Sequence, residues 1–594
     1  MSNECNRNAP GQCADAEGRD TIADGTAAHA EGIATAAHAA ASHAEGLSTL
    51  TYGPAAHAEG ADVWAIGTAS HAEGSGTRAV AAFTHAEGLG TMAGLFPDKG
   101  IGAHAEGNAT GASGDFAHAE GSGSSAGGDF AHAEGQLSSA DGTGSHAEGY
   151  STLARGEFSH AEGDSAEAVG IGSHAEGSGS VAGGAYSHAE GVGTETTGEA
   201  SHAEGERSAA GGRGSHAEGY RTIASGRYSH AEGFFTLASG DYSHVEGWGN
   251  EFLDVRNTAS GAAAHAEGGG FHQAYGYGPT LAAGDVSHAE GYRTVAGGFA
   301  SHAEGDRSVA GEYASHAEGR ATQAYGIASH AEGDQSTASG DASHAEGSAT
   351  IASGNSSHAE GISTDTNLYT GAHIMGRYGQ ANEEYSWHLA YGTGTTPHLA
   401  AKISGPQGQG IAENGWVTGA ADYAEMFETC DGRPIDVGYF VTLEGSKIRK
   451  ATASDIYILG ITSATPGVVG DAAELSWKHK FMRDEWGRTI MREVIYPAEQ
   501  DEYGVVIKPE RKVREAVVNP AFDPSREYIP RSQRPEWVAV GLLGKLLVRD
   551  DGTCPVNGYC RPNDQGIATN AVTGYRVLER TGPNQILVLY AFMI

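Results

Sequence analysis

Large aliphatic side chains are scarce over the first 360 of the 594 residues, while Gly, at 91, is about twice as common as usual. A single-chain core of Leu, Ile and Phe is excluded there. The same stretch is too regular for a disordered tract, which leaves a repeat architecture. Basic charge is also short: 36 Lys and Arg face 75 Asp and Glu, a formal net charge of −39. Phosphate backbones and anionic bilayers both demand clustered Lys and Arg, so neither nucleic acid nor a membrane surface is expected as a partner. Cysteine is limited to Cys5, Cys13, Cys430, Cys554 and Cys560, an odd set without a CxxC. That argues against a disulfide framework or a zinc site, although Cys5 with Cys13, or Cys554 with Cys560, remain open as local pairs beside free thiols. The longest apolar run, Ile586 to Ile594, is too short to span a bilayer. Met1 to Asn8 has neither the basic start nor the apolar stretch of a secretory signal, so the expectation is synthesis in the cytoplasm without a signal peptide.

What fills the first part is one tetrapeptide. His-Ala-Glu-Gly recurs 23 times from His29 to His358, once with Val245 in the Ala slot, mostly at a spacing of 14 residues. Degenerate copies, Asp15-Ala16-Glu17-Gly18 and His373-Ile374-Met375-Gly376, flank the array, as expected of capping repeats. A full unit runs from Ser215 to Tyr228 and holds two alternating segments, Ser-His-Ala-Glu and Thr-Ile-Ala-Ser, each closed by Gly. Alternation predicts strands, and the glycines predict tight turns with positive φ. Two strands and two turns per unit make one coil of a flat, parallel β-roll. At roughly 4.8 Å per coil, about 25 coils give a rod of about 120 Å.

Side-chain parity divides this coil. Ser215, Ala217, Thr222 and Ala224 share the inner face and are small enough to fill it. His216 and Glu218, like His230 and Glu232 one coil on, then form a continuous outer face. An interior of Ala, Ser and Thr buries little apolar area, so a second burial surface against neighbouring chains is expected.

The repeat resembles the parallel β-roll head of YadA-type trimeric adhesins, whose 14-residue unit has the form Ala-Ile-Gly-x-x-Ser-x-Ala-x-Gly-x-x-Ser-Val. Ala217-Glu218-Gly219 and Thr222-x-Ala224-x-Gly226 occupy the matching slots. The resemblance implies a homotrimer with His and Glu at the axis in place of the family's apolar pair. His and Glu two apart also suit a divalent ion. Hydrogen bonding of His⁺ to Glu⁻ across chains is the favoured reading, with no metal or cofactor expected and stability that falls when His loses its proton.

Three insertions interrupt the array: Leu95 to Lys99, a stretch within Gly249 to Asn257, and another within Gly269 to Gly278. The last two bring Trp248, Phe252, Phe271, Tyr275 and Tyr277, which serve either as receptor contacts or as packing over the roll.

After about Ser363 the period ends. Residues 363–415 are expected to form a neck, and residues 416–594 a mixed, mainly β domain, following a cap over 1–28 and the roll over 29–362. Three blocks stand out: Thr418-Gly419-Ala420-Ala421-Asp422-Tyr423-Ala424-Glu425-Met426-Phe427-Glu428, Arg526-Glu527-Tyr528-Ile529-Pro530-Arg531, and Gly541-Leu542-Leu543-Gly544-Lys545-Leu546 with Arg549 to Cys554. Together they resemble the intramolecular chaperone domain, with glutamic-peptidase-type autoproteolytic cleavage, of phage appendages and tail spikes. The resemblance implies a domain that aligns three solenoids and then cuts itself off between Ala421 and Asp422, with Asp422 and Glu425 catalytic. Asp422, Glu425 and Glu428 would share one face if helical, and carboxyl pairs supply the acid and base that peptide hydrolysis needs. Capping of a helix start is the alternative.

The leading expectation is thus a structural fibre or spike of a phage-like particle that meets a host-surface glycan or protein and cleaves itself once. A non-enzymatic bacterial surface adhesin is the alternative, and a glycan depolymerase ranks below both.

Overall fold

The structure is a computed structural model and describes residues 6–591, apart from 273–275, 476, 478, 501–505 and 509. The chain divides into two compact units, Met1–Asn414 and Gly415–Ile594.

The first unit is a parallel β-solenoid of about 27 turns. Each coil contributes a five-residue strand beginning at the motif histidine, such as His216–Tyr220, and a two-residue strand such as Ile223–Ala224. Both pair in parallel with their equivalents in the adjacent coils, in strict register: His202 opposite His216, and His216 opposite His230. The insertions leave this register intact, since His85 pairs with His104, His244 with His265, and His265 with His288. Burial follows the expected parity. Ser215, Ala217, Thr222 and Ala224 are fully buried, and the side chains of His216 and Glu218 remain 34% and 38% exposed. The inner hydroxyls bond within the roll: Ser215 Oγ donates to the Gly212 carbonyl at 2.7 Å, and Thr222 Oγ1 to Ser208 Oγ at 2.9 Å.

The two glycines of the unit differ in purpose, contrary to the single reason expected of both. Gly219 has φ +111°, and its slot is glycine with φ between +95° and +122° in every coil from Gly18 to Gly376. A methyl group there would also lie 2.1 Å from the Gly233 carbonyl oxygen. Gly226 is not left-handed. It admits the close approach of Gly240, whose carbonyl oxygen would lie 2.0 Å from an added methyl. The left-handed turns of that half-coil fall instead on Arg221 (φ 53°) and Tyr228 (φ 55°).

The coils also outrun the motif at both ends. Asp15–Arg19 is already a coil strand paired with His29–Ile33. His373–Gln380 and Trp387–Tyr391 continue the parallel stack beyond residue 362, and only then does Leu399–Ser404 turn antiparallel, followed by Gln409–Ala412.

The second unit is built on a ten-stranded sheet. Its longest strand, Trp537–Arg549, pairs antiparallel with Asp422–Glu428 on one side and with Gln585–Tyr590 on the other. Phe440, Ile461, Val548, Val577, Ile586 and Tyr590 form the buried core.

Candidate functional site

Two places in the molecule concentrate polar chemistry. The first is the outer His/Glu face of the solenoid. Because each coil is in register with the next, the imidazoles from His29 to His373 stack as one column. Neighbouring centroids lie 4.7 Å apart at His202–His216, 4.8 Å at His216–His230 and 4.5 Å at His358–His373. Interplanar angles in the middle of the column are only 1–2°. The column ends on Trp387, tilted by 49° over His373.

The glutamates form a parallel column. His132 Nε2 lies 3.7 Å from its own coil's Glu134 and 3.8 Å from Glu120 of the coil before. At His216 and Glu218 the gap is 3.7 Å, and at His230 and Glu232 it is 3.9 Å. These are ion-pair distances, too long for hydrogen bonds. His358, 3.2 Å from Glu346, makes one, and the Nε2 atoms of His216, His230 and most other motif histidines are buried without a hydrogen-bond partner among the described residues.

Crowding of like groups sets the charge. Burial, and then the neighbouring imidazoles, push the His230 pKa down, and His104, His174 and His316 behave alike. Hydrogen bonding to adjacent carboxyls raises Glu87, Glu120 and Glu232 to about 7. Within one chain, burial and crowding thus disfavour the charged imidazole at His104, His174, His230 and His316, and contact with adjacent carboxyls favours a retained proton at Glu87, Glu120 and Glu232.

The second place is the peptide between Ala421 and Asp422. No helix forms at these residues. Asp422–Glu428 is a strand, in which Asp422, Ala424 and Met426 are buried and Glu425 points to the opposite face. The helical arrangement that would bring three carboxylates onto one face therefore does not form. The cause is long-range pairing with Trp537–Arg549, in the register Asp422 to Gly544. Glu425 Oε1 accepts a 2.7 Å hydrogen bond from the Tyr423 hydroxyl, and Glu428 Oε1 accepts one of 2.7 Å from Lys447 Nζ.

Asp422 itself is 9% exposed, and its Oδ2 is buried without a hydrogen-bond partner. The Ala421 carbonyl accepts a hydrogen bond from the Lys545 N–H at 3.2 Å, and the Asp422 carbonyl one from the Gly467 N–H at 2.9 Å. Gly544, with φ +120°, permits the approach, because a methyl there would stand 2.1 Å from the Ala421 carbonyl oxygen. The Gly541-to-Leu546 block thus walls this peptide. The Arg526-to-Arg531 block ends in buried Arg531, which pairs with Asp471 Oδ2 at 2.6 Å and stacks over Trp537. Lys545 belongs to a block that stood out in the sequence, whereas Gly467 did not, and nothing local marks either as a neighbour of Ala421.

The insertion aromatics separate into two kinds. Trp248 packs at 5.5 Å from Phe234, and its loop is fastened to the roll by Arg221 to Glu251 at 3.0 Å and by Arg256 over Phe235. Phe252 at the loop tip is 87% exposed. Phe271 is exposed on a short hairpin with Gly276–Tyr277. Tyr275 lies outside the described residues.

Residues 371–585 match the family described as Peptidase_G2, IMC autoproteolytic cleavage domain. The pre-neck appendage protein of Bacillus phage B103 is 34% identical over 220 residues, 36% of this chain and 23% of that protein. The pre-neck appendage protein of Bacillus phage phi29 is 38% identical over 175 residues, 28% of this chain and 19% of that protein. A solved C-terminal fragment of bacteriophage phi29 gene product 12 is 38% identical, with a TM-score of 0.24, covering 28% of this chain and 99% of the fragment. The chain spans less than a quarter of the length of these curated relatives.

Proposed function

We infer that this chain, which carries an IMC autoproteolytic cleavage domain of the Peptidase_G2 type and resembles phage pre-neck appendage proteins, is an appendage component of a phage or phage-like virion. Its solenoid is the shaft. Three copies pack through the His/Glu face, and the assembled fibre meets a host-surface glycan or protein through exposed loop aromatics such as Phe252. The C-terminal domain sets the register of the three shafts and then releases itself. Identical coils make that service necessary, since a slip of one coil would preserve nearly every contact. Cleavage would leave the shafts kinetically trapped in the correct register.

The observation that carries the reading is the family match across the Ala421–Asp422 peptide, together with the buried, unpartnered Asp422 carboxyl oxygen beside it. Water adds to the Ala421 carbonyl carbon, whose oxygen is polarised by the Lys545 N–H. The C–N bond breaks and the Asp422 nitrogen takes the proton. Asp422 and Glu425 are the proposed acid and base. Asp422 adjoins the bond in sequence and Glu425 lies on the opposite face of the strand, so the part played by Glu425 is the point to test. Mass spectrometry of the purified 60.9 kDa protein should give fragments of roughly 43 and 18 kDa by residue share. Glu425→Ala should leave the chain whole. Finding only intact chain in the wild type, unchanged by Glu425→Ala, would remove self-cleavage from this reading.

A further inference from the structure

We propose that the His/Glu face of the solenoid is a linear array of binding sites for borderline divalent transition ions such as Zn²⁺ or Ni²⁺, each held by two successive motif histidines and the glutamate between them. His132, Glu134 and His146 form one such set, and His146, Glu148 and His160 the next. Within each set, one donor atom per residue lies within 4.8 Å of the others. His43, Glu45 and His57, His71, Glu73 and His85, and His160, Glu162 and His174 repeat the arrangement. This departs from the expectation that the histidines serve pairing alone.

Three observations carry it. First, the ligand chemistry is mixed nitrogen and oxygen. Imidazole selects Zn²⁺, Ni²⁺ or Cu²⁺, while Mg²⁺ and Ca²⁺ need all-oxygen shells. Second, the Nε2 atoms are buried yet accept and donate nothing, so the protein leaves the principal ligand atom of nearly every coil unsatisfied. A buried polar atom without a partner is costly, and the cost recurs coil after coil. Third, those atoms already face carboxylates at 3.6–3.9 Å, as at His43–Glu45 and His230–Glu232. A cation inserted between them would meet both donors.

Geometry limits the number of ions. Bond lengths to zinc are about 2.0–2.2 Å, so donors as far apart as 4.8 Å must close in. The side chains can swing, because His132 and Glu134 keep 35% and 30% of their surface exposed. Each Nε2 can serve a single ion, however, and adjacent sets share a histidine. Occupancy is therefore about one ion per two coils, or about ten per chain. The proposal does not depend on trimer formation or on self-cleavage.

The test uses the full-length protein, stripped with chelator and equilibrated with Zn²⁺, Ni²⁺ or Mg²⁺ before elemental analysis. About ten Zn²⁺ or Ni²⁺ per chain and no Mg²⁺ are expected. Glu134→Gln, Glu148→Gln and Glu162→Gln together keep the imidazole column. They should lower zinc affinity in those coils and remove about two ions. His132→Asn, His146→Asn and His160→Asn should remove a similar number, with far-ultraviolet circular dichroism confirming that the β-roll persists. Co²⁺ should give the visible absorption of nitrogen and oxygen ligation. Fewer than about three ions per chain, a stoichiometry unchanged in both variants, or equal uptake of Mg²⁺ would overturn the proposal.

Discussion

Replacing Gly219 by Ala should open the rod locally, whereas Gly226→Ala should hardly disturb it. The two sites lie in one coil, and each would put a methyl about 2 Å from a carbonyl oxygen of the next coil. The difference lies in the backbone and in the next coil's ability to give way, which the non-glycine residues already in the Gly226 slot show that it has. At φ +111° an alanine at 219 bears a left-handed penalty of about 1–2 kcal/mol. Its methyl must also retreat from Gly233 by more than an ångström, which stretches the hydrogen bonds from Phe235 N–H to the Tyr220 carbonyl and from His216 N–H to the Ser229 carbonyl. At about 1 kcal/mol each, the total reaches about 3–4 kcal/mol. The slot of Gly226 has no left-handed requirement, and the chain itself places Ala39, Ala81 and Glu312 there. A cost below about 1 kcal/mol is expected. A solenoid melts nearly coil by coil, so a global midpoint is the wrong observable. Amide hydrogen exchange over residues 206–235 reads the local opening, and Gly219→Ala should lower protection by about 150- to 900-fold, Gly226→Ala by less than about fivefold. Equal losses in the two variants would refute the argument from φ.

Two further outcomes can be checked. Glu120 holds its proton up to about pH 7, against an ordinary value of 4.5, because it bonds to Glu106 and Glu134. The folded state binds that proton more tightly than the unfolded chain. Its stabilising contribution is present in full below pH 4.5 and is lost as pH rises through 7. Glu120→Gln mimics the protonated form, so with chelator present it should leave amide-exchange protection over residues 106–134 unchanged at pH 4 and raise it at pH 8. Burial pushes the thiol of Cys560 up to about 12 and that of Cys554 higher still, whereas Cys430 is exposed. Alkylation followed by peptide mapping should label Cys430 in the folded protein, and Cys554 and Cys560 only after unfolding.

The roll was legible because a strict period and small inner residues leave one solution. Ser215 and Ala217 alternate with His216 and Glu218, and no other face can take an imidazole in every coil. Two layers of that order escaped local reading. The left-handed turns at Arg221 and Tyr228 carry side chains that argue against such φ values, and only the fixed rise of the coil imposes them. The coils beyond residue 362 lack the motif, yet Ile374 and His388 still fill the inner slots. At the candidate cleavage site, Ala424, Glu425 and Met426 are good helix formers. The partner that turns them into a strand, Trp537–Arg549, lies more than a hundred residues away and leaves no local trace. Asp422 was identifiable from its block, whereas the donors Lys545 and Gly467 depend on that distant pairing.

Strict register between equivalent residues has a consequence for how such a shaft changes in heredity. Every coil presents the same edge to the one above and the one below, even where a loop has been inserted between His85 and His104. An in-frame loss or duplication of one repeat by recombination between near-identical stretches of gene would therefore rejoin compatible edges. Shaft length could drift by whole coils under selection for reach, with no intermediate that fails to fold.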